Sequence, residues 1–250
     1  MKVSIITVCY NSEATIRDTI ESVLTQSYSD IEYIIIDGAS SDRTMIIVDQ
    51  YKDRIAKVVH EPDGGIYDAM NKGIKLATGD VVGILNSDDF YYDKFVLEKV
   101  LAIFLDKKID AIFADLVYLQ PGKLDSVVRY YSGAGFTLKR FAYGWMPPHP
   151  TFFLKRELYE KYGFFKTYYK IAADFELLVR FLARHQISYY YLPEVIVNMR
   201  TGGLSTRNLK SNWILNKEII RACKENNINT NVFKVYSKYL TKVLQLVRKH

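Results

Sequence analysis

With 250 residues, 49% of them apolar and 25% charged, the chain has ordinary globular composition and enough length for one sizeable core. A net charge of +6 points to an anionic partner such as a nucleotide, a lipid phosphate or a membrane surface. Without a recognition motif or an aromatic-laced basic stripe it argues against nucleic acid. No apolar run is long enough to span a bilayer, and the chain enters a strand at once, so no signal peptide is expected. Cys9 and Cys223 stand in no metal or redox spacing, as buried thiols of a cytosolic protein would.

Val3-Ser4-Ile5-Ile6-Thr7-Val8 reads as a buried strand, short, β-branched and nearly continuous in apolar character. Asn11 or Ser12 is the expected cap of a helix with Ile16, Ile20, Val23 and Leu24 on one face. A second buried strand over Ile31–Ile36 ends at Asp37-Gly38-Ala39-Ser40-Ser41-Asp42. A helix over about Thr44–Lys52, a third strand near Lys57–His60, a Gly64-Gly65 turn and a helix over about Ile66–Ala77 follow. The fourth strand, Val81–Leu85, closes in Asn86-Ser87-Asp88-Asp89. Alternating strands and helices predict a parallel α/β sheet, and ligands of such sheets bind beyond the carboxyl ends of the strands. Asp37, Asp42, Asp88 and Asp89 all lie at those ends. Adjacent carboxylates repel unless a positive charge sits beside them, which a divalent cation carrying a diphosphate would supply; a solvated, helix-capping turn is the plain alternative.

The second half is less regular. A helix near Lys94–Leu105 leads to a strand over Asp110–Leu119, turned at Pro121-Gly122 into Leu124–Tyr130. Residues 133–150 form a loop-rich crossing with a short helix, and the Pro147-Pro148-His149-Pro150 run within it cannot be a helix interior. Thr151–Leu154 reads as a strand, 155–162 and 172–185 as helices, Ile187–Leu192 and Glu194–Asn198 as two strands, and two helical stretches follow from about Asn208. In the tail, Lys234, Lys238 and Lys242 recur every fourth residue opposite Val232, Tyr236, Tyr239, Val243, Leu246 and Val247. That pattern suits a basic helix on an anionic membrane, and equally a helix packed on the body with its lysines in water.

Five segments, Thr7-Val8-Cys9-Tyr10-Asn11, Asp37–Asp42, Gly64–Gly73, Gly79-Asp80 and Asn86–Asp89, together resemble the family 2 glycosyltransferases of the GT-A fold, the type that builds bacterial surface glycans. They come in the family's order, and the likeness covers most of the chain through about residue 205. The resemblance implies a central, mostly parallel sheet flanked by helices over 1–205, with a nucleotide-sugar-binding half (1–105) and an acceptor-binding half (106–205). A C-terminal helical extension would occupy 206–250. It implies that Thr7 and Tyr10 line the base pocket and that Asp37 contacts the base. Of the acidic pair, one residue lies near ribose and one on Mn²⁺ or Mg²⁺, with Asp89 favoured over Asp88 as direct ligand. Asp42 would shape its loop.

Ala172-Ala173-Asp174-Phe175-Glu176 resembles the segment whose acid deprotonates the acceptor hydroxyl, which puts Asp174 in the role of general base, with Glu176 facing elsewhere. His149 resembles a position beside the acceptor cleft, and Gly202-Gly203-Leu204-Ser205 a loop over the donor, making Gly203 and Ser205 further candidates. Two departures stand out: Asn86 where many relatives have Asp, and Met70 where many have Arg, with Lys72 either compensating or merely a surface lysine. The implied activity is that of an inverting, metal-assisted glycosyltransferase of the hexosyltransferase type. It would move a sugar from a UDP-, GDP- or dTDP-sugar to a glycan or lipid-linked saccharide. A cytoplasmic location is implied, peripheral on the inner face of the cell membrane if the tail binds there. The competing readings are a catalytically idle nucleotide-sugar-binding scaffold and a metal-dependent nucleotidyltransferase, although Thr7–Ser12 contains no basic phosphate-gripping loop for the latter.

Overall fold

Seven consecutive buried residues form β1 (Val3–Cys9), because a parallel strand covered by helices on both faces has no solvated side. The computed structural model describes residues 1–120, 122–201 and 209–237. Beside β1 run β2 (Ile31–Asp37), β3 (Lys57–His60) and β4 (Val81–Ile84), all parallel, in the order β3-β2-β1-β4. The crossovers are α1 (Ile16–Leu24), α2 (Thr44–Asp49) and α3 (Ile66–Leu76). Beyond them come β5 (Asp89–Tyr91), α4 (Val96–Lys107), β6 (Ala111–Gln120), β7 (Lys123–Tyr131), β8 (Phe153–Lys155), α5 (Glu157–Tyr162), α6 (Ala173–Leu178), β9 (Tyr189–Arg200) and α7 (Leu209–Glu225). The sheet continues past β4 through β8, β6 and β9 to β5, with β7 paired on β6.

Two cores lie on opposite faces of the sheet. One packs Ile16, Ile20 and Val23 of α1 and Val96, Val100 and Phe104 of α4 against Val3, Ile5 and Ile35. The other packs Met70 and Ile74 of α3, Phe175 and Leu178 of α6 and Ile219 and Cys223 of α7 against Ile6, Val8 and Ile36. Gly73 is required where α3 crosses β1, since a Cβ there would collide with the Ile6 side chain. α7 thus shares the main core, and Val235, in the short helical stretch 232–237, joins it. The rest of the basic tail, with Lys238 and Lys242, lies outside the described residues. Among the described residues no helix is long and apolar enough to cross a membrane.

Three local expectations change. The first helix starts at Ile16, not after Asn11 or Ser12, because Asn11 adopts a left-handed conformation (φ 49°) and the Ser12 carbonyl accepts the Thr15 and Ile16 N–H groups in a turn of its own. The two strands expected around Pro193 are one, β9. Its pairing with β6 jumps from Ala114–Leu192 to Asp115–Val195, and the irregularity absorbs the missing proline N–H. Finally, Asp89 opens β5, which pairs antiparallel with the end of β9, so the acidic segment is held in the sheet on its far side. No local pattern announces a three-residue strand whose partner lies at Val197–Met199.

Candidate active site

β4 delivers the chain to the turn 86–88, which closes with the Asp89 N–H donating to the Asn86 carbonyl at 3.0 Å. Three tertiary bonds pin this turn. Thr19 Oγ1 of α1 donates to the Asp89 carbonyl at 2.7 Å, Ser12 and Ser87 hydroxyls meet at 2.8 Å, and Arg200 Nη1 donates to the Asp88 carbonyl at 2.8 Å. Arg200 also pairs with Asp18. Asp88 keeps some surface, whereas the Asp89 side chain is fully buried. Burial raises the Asp88 carboxyl above its ordinary range. Burial and then the Asp88 charge push Asp89 well above it.

Asp89 Oδ1 and Asn86 Oδ1 are both buried without a hydrogen-bond partner. Unpartnered oxygen ligands beside two crowded carboxylates fit a hard divalent cation. Among the described residues no three His, Cys, Asp or Glu side chains cluster to hold a metal alone, so such an ion would complete its shell from water and ligand oxygens.

At the ends of β1 and β2 the loops are stitched together. Asn11 Oδ1 accepts the Ser41 N–H at 2.9 Å, and Ser40 Oγ accepts the Asn11 N–H at 2.8 Å. Ala39, like Asn11, sits in the left-handed region (φ 60°), a strained choice for an L side chain that the cross-bonds enforce. Tyr10 is 65% exposed, an open aromatic face at the strand ends. Thr7, by contrast, is fully buried and accepts the Tyr33 hydroxyl at 3.1 Å, so its side chain points into the core on one face of the sheet. Asp37 is fully buried too. Its carboxylate accepts Ser40 N–H at 2.8 Å, Ser40 Oγ at 2.5 Å and His60 Nδ1 at 2.6 Å. Asp42 accepts the Thr44 N–H and hydroxyl at the start of α2 and the Glu13 N–H, bonds that shape the loop.

A cleft opens between α3 and α6, lined by Ile84, Asn86, Met70, Tyr67, His149 and Asp174. His149 Nδ1 lies 3.2 Å from Asp174 Oδ2, both partly exposed. Two side chains hold the preceding turn and set the start of α6: Tyr67 Oη donates to the Ile171 carbonyl at 2.5 Å, and the Glu218 carboxylate of α7 accepts the N–H groups of Lys170, Ile171 and Ala172. Glu176 points the other way, buried against Arg180 and Lys166. Lys72 is spent on Glu61 and the Pro62 carbonyl, away from the cleft. Met70, nearly buried, lines it as an apolar wall.

The fold therefore brings Asn86, His149 and Asp174 into one cleft, with Asp88 and Asp89 on the same turn as Asn86. Tyr10 and Asp37 stand at the ends of the neighbouring strands, and Gly203 and Ser205 lie outside the described residues. Sequence reading overlooked Tyr67, His60, Arg200 and Glu218. Tyr67 at least falls inside the Gly64–Gly73 stretch, but the other three matter only through contacts across the fold.

A family model described as Glycosyl transferase family 2 matches residues 4–170. The chain is 27% identical to a PGL/p-HBAD biosynthesis glycosyltransferase of Mycobacterium bovis over 223 residues, 87% of this chain and 82% of the relative. It is 32% identical to an uncharacterized glycosyltransferase of Mycobacterium tuberculosis over 180 residues, 71% of this chain and 68% of that one. Among solved structures, Staphylococcus aureus TarS in complex with UDP-GlcNAc superposes with a TM-score of 0.71 at 20% identity, over 92% of this chain and 68% of that one. The Pyrobaculum calidifontis mannosyltransferase PcManGT in complex with GDP-Man and Mn²⁺ gives 0.62 at 18% identity, over 98% and 80%.

Proposed function

The chain belongs to glycosyl transferase family 2 and has the GT-A fold, and from that premise we propose that it moves a sugar from a nucleoside-diphosphate donor to a hydroxyl of a glycan or lipid-linked acceptor, with inversion at the sugar. The observation that carries this reading is the shared cleft, in which Asn86 of the acidic turn and the His149–Asp174 pair face one space.

The donor would lie across the strand ends, its base against the exposed Tyr10 ring and its diphosphate toward Asn86–Asp89. Asp88 and Asp89, with Asn86 beside them, would hold Mn²⁺ or Mg²⁺, whose Lewis acidity offsets charge on the departing diphosphate. Asp174 takes the proton of the acceptor hydroxyl, and attack from its side, opposite the diphosphate, inverts the anomeric centre. His149, 3.2 Å away, orients the carboxylate. Met70 and Asn86 leave the donor site with less charge than many relatives have, so more of the diphosphate's binding would fall to the cation. The basic tail would rest on an anionic membrane surface carrying a lipid-linked acceptor.

Replacing Asp174→Asn tests the reading. Release of nucleoside diphosphate from UDP-, GDP- and dTDP-sugars should fall by about 10²–10⁴ while nucleotide binding, read by calorimetry, is unchanged. Turnover that survives the substitution removes Asp174 from the base role. A wild-type protein that binds nucleotide but never turns over is the idle scaffold that Met70 and Asn86 keep in play.

A further inference from the structure

Resting on that donor-site reading, we infer that His60 selects the nucleobase, taking a base with a ring N–H (uracil, thymine or guanine) and rejecting cytosine. Cys9, Asp37 and His60 occupy matched register positions across the ends of β1, β2 and β3. The carboxylate at the centre of that row is closed: Asp37 has no exposed surface and its oxygens are taken by Ser40, His60 and, at 3.4 Å, Cys9 Sγ. The His60 side chain, by contrast, is 48% exposed. What this row offers to solvent is an imidazole edge and not a carboxylate.

The chemistry of that edge follows from the bond behind it. A carboxylate only accepts, so the 2.6 Å contact to Asp37 Oδ2 places the proton on Nδ1. In the neutral ring Nε2 is then an acceptor, and among the described residues no donor reaches it. Uracil and thymine carry a donor at N3 and guanine at N1, whereas cytosine N3 is itself an acceptor. Two acceptors set face to face make no bond and leave both desolvated. Neighbouring features suit a base at this place. The Tyr10 ring is open for stacking, and beside it Gly38 leaves room for the Asp63 carboxylate, which a Cβ would approach to 2.5 Å.

UDP and CDP have the same ribose and diphosphate, so the ratio of their affinities in Mn²⁺ at fixed pH reports the base edge alone. Wild-type protein should favour UDP by about tenfold or more, the size of one hydrogen bond gained against one refused. His60→Asn keeps a donor for Asp37 but loses the outer acceptor, and should bring the ratio toward one. His60→Gln, which reaches as far as Nε2, should restore part of it. A thermal unfolding profile close to wild type for both variants shows that folding is not the cause. An undiminished UDP preference in His60→Asn, or equal wild-type affinities, overturns the role of His60 while leaving the donor site standing. Binding of neither nucleotide overturns the donor-site reading and this inference with it.

Discussion

Three buried carboxylates meet three different fates. Asp89 is crowded by Asp88 and left with an unpartnered oxygen, which fits the proposed cation site. Asp37 is closed off by Ser40 and His60. Glu32, at the opposite end of the sheet, accepts Ser4 Oγ at 2.6 Å, the Thr78 N–H at 2.7 Å and Thr78 Oγ1 at 2.8 Å, with Lys2 and Lys57 nearby. Burial alone would raise its carboxyl, but the Ser4 and Thr78 bonds and the Lys2 charge outweigh it and hold the group at about 2 against an ordinary 4.5. A depressed acid contributes stability that is present above its unfolded value and is lost as pH falls through the folded one. The loss should amount to something on the order of 3 kcal/mol between roughly pH 4.5 and 2. Glu32→Gln should therefore lower Tm at neutral pH and flatten its fall over that window. Parallel Tm–pH curves for the two proteins would show that Glu32 plays no such part. The identity of these residues was plain from the chain, but their fates were not, since Asp37 and Asp89 look alike as acids at strand ends.

At the scale of elements, α6 is short, only Ala173–Leu178 before it widens into a π-helical turn at Val179–Arg184, and it has no side-chain cap of its own. Its entry is held from outside, by Glu218 of α7 on three successive N–H groups and by Tyr67 of α3 on the Ile171 carbonyl. Glu218→Gln offers those three donors a single acceptor oxygen, and losing a part-buried N–H partner costs about 1 kcal/mol. The amides of Lys170–Ala172 should then exchange hydrogen faster by about tenfold or more, with those of β1 unaffected. Unchanged exchange at these amides would mean that α7 does not hold the entry. The helix pattern of 172–185 was legible in sequence and the strap across its start was not, because Glu218 is forty-odd residues away and reads as one more surface acid on an amphipathic helix.

Across the whole molecule the candidate site draws on α1, β4, β5, α3, α6 and the ends of β1–β3, so a ligand bridging them should stabilise the fold as a unit. At about a hundredfold its Kd, UDP with Mn²⁺ should add about 2.7 kcal/mol, a Tm rise of roughly 5–10 °C for a chain of this size. Because Asp88 and Asp89 crowd each other and the nearby Arg200 is already paired with Asp18, either ligand alone should give much less. A rise as large with UDP alone would argue against a cation at Asn86–Asp89.

The sequence by itself determined the α/β class, the run of β1–β4 and the acids at their ends, because buried parallel strands and amphipathic helices have periods that local residues dictate. Tertiary structure alone decided that β5 folds back on β9, that Asn86 faces the His149–Asp174 pair, and that Asp37 is covered by His60. Those are pairings between distant segments, and their free energy comes from contacts that no local pattern encodes.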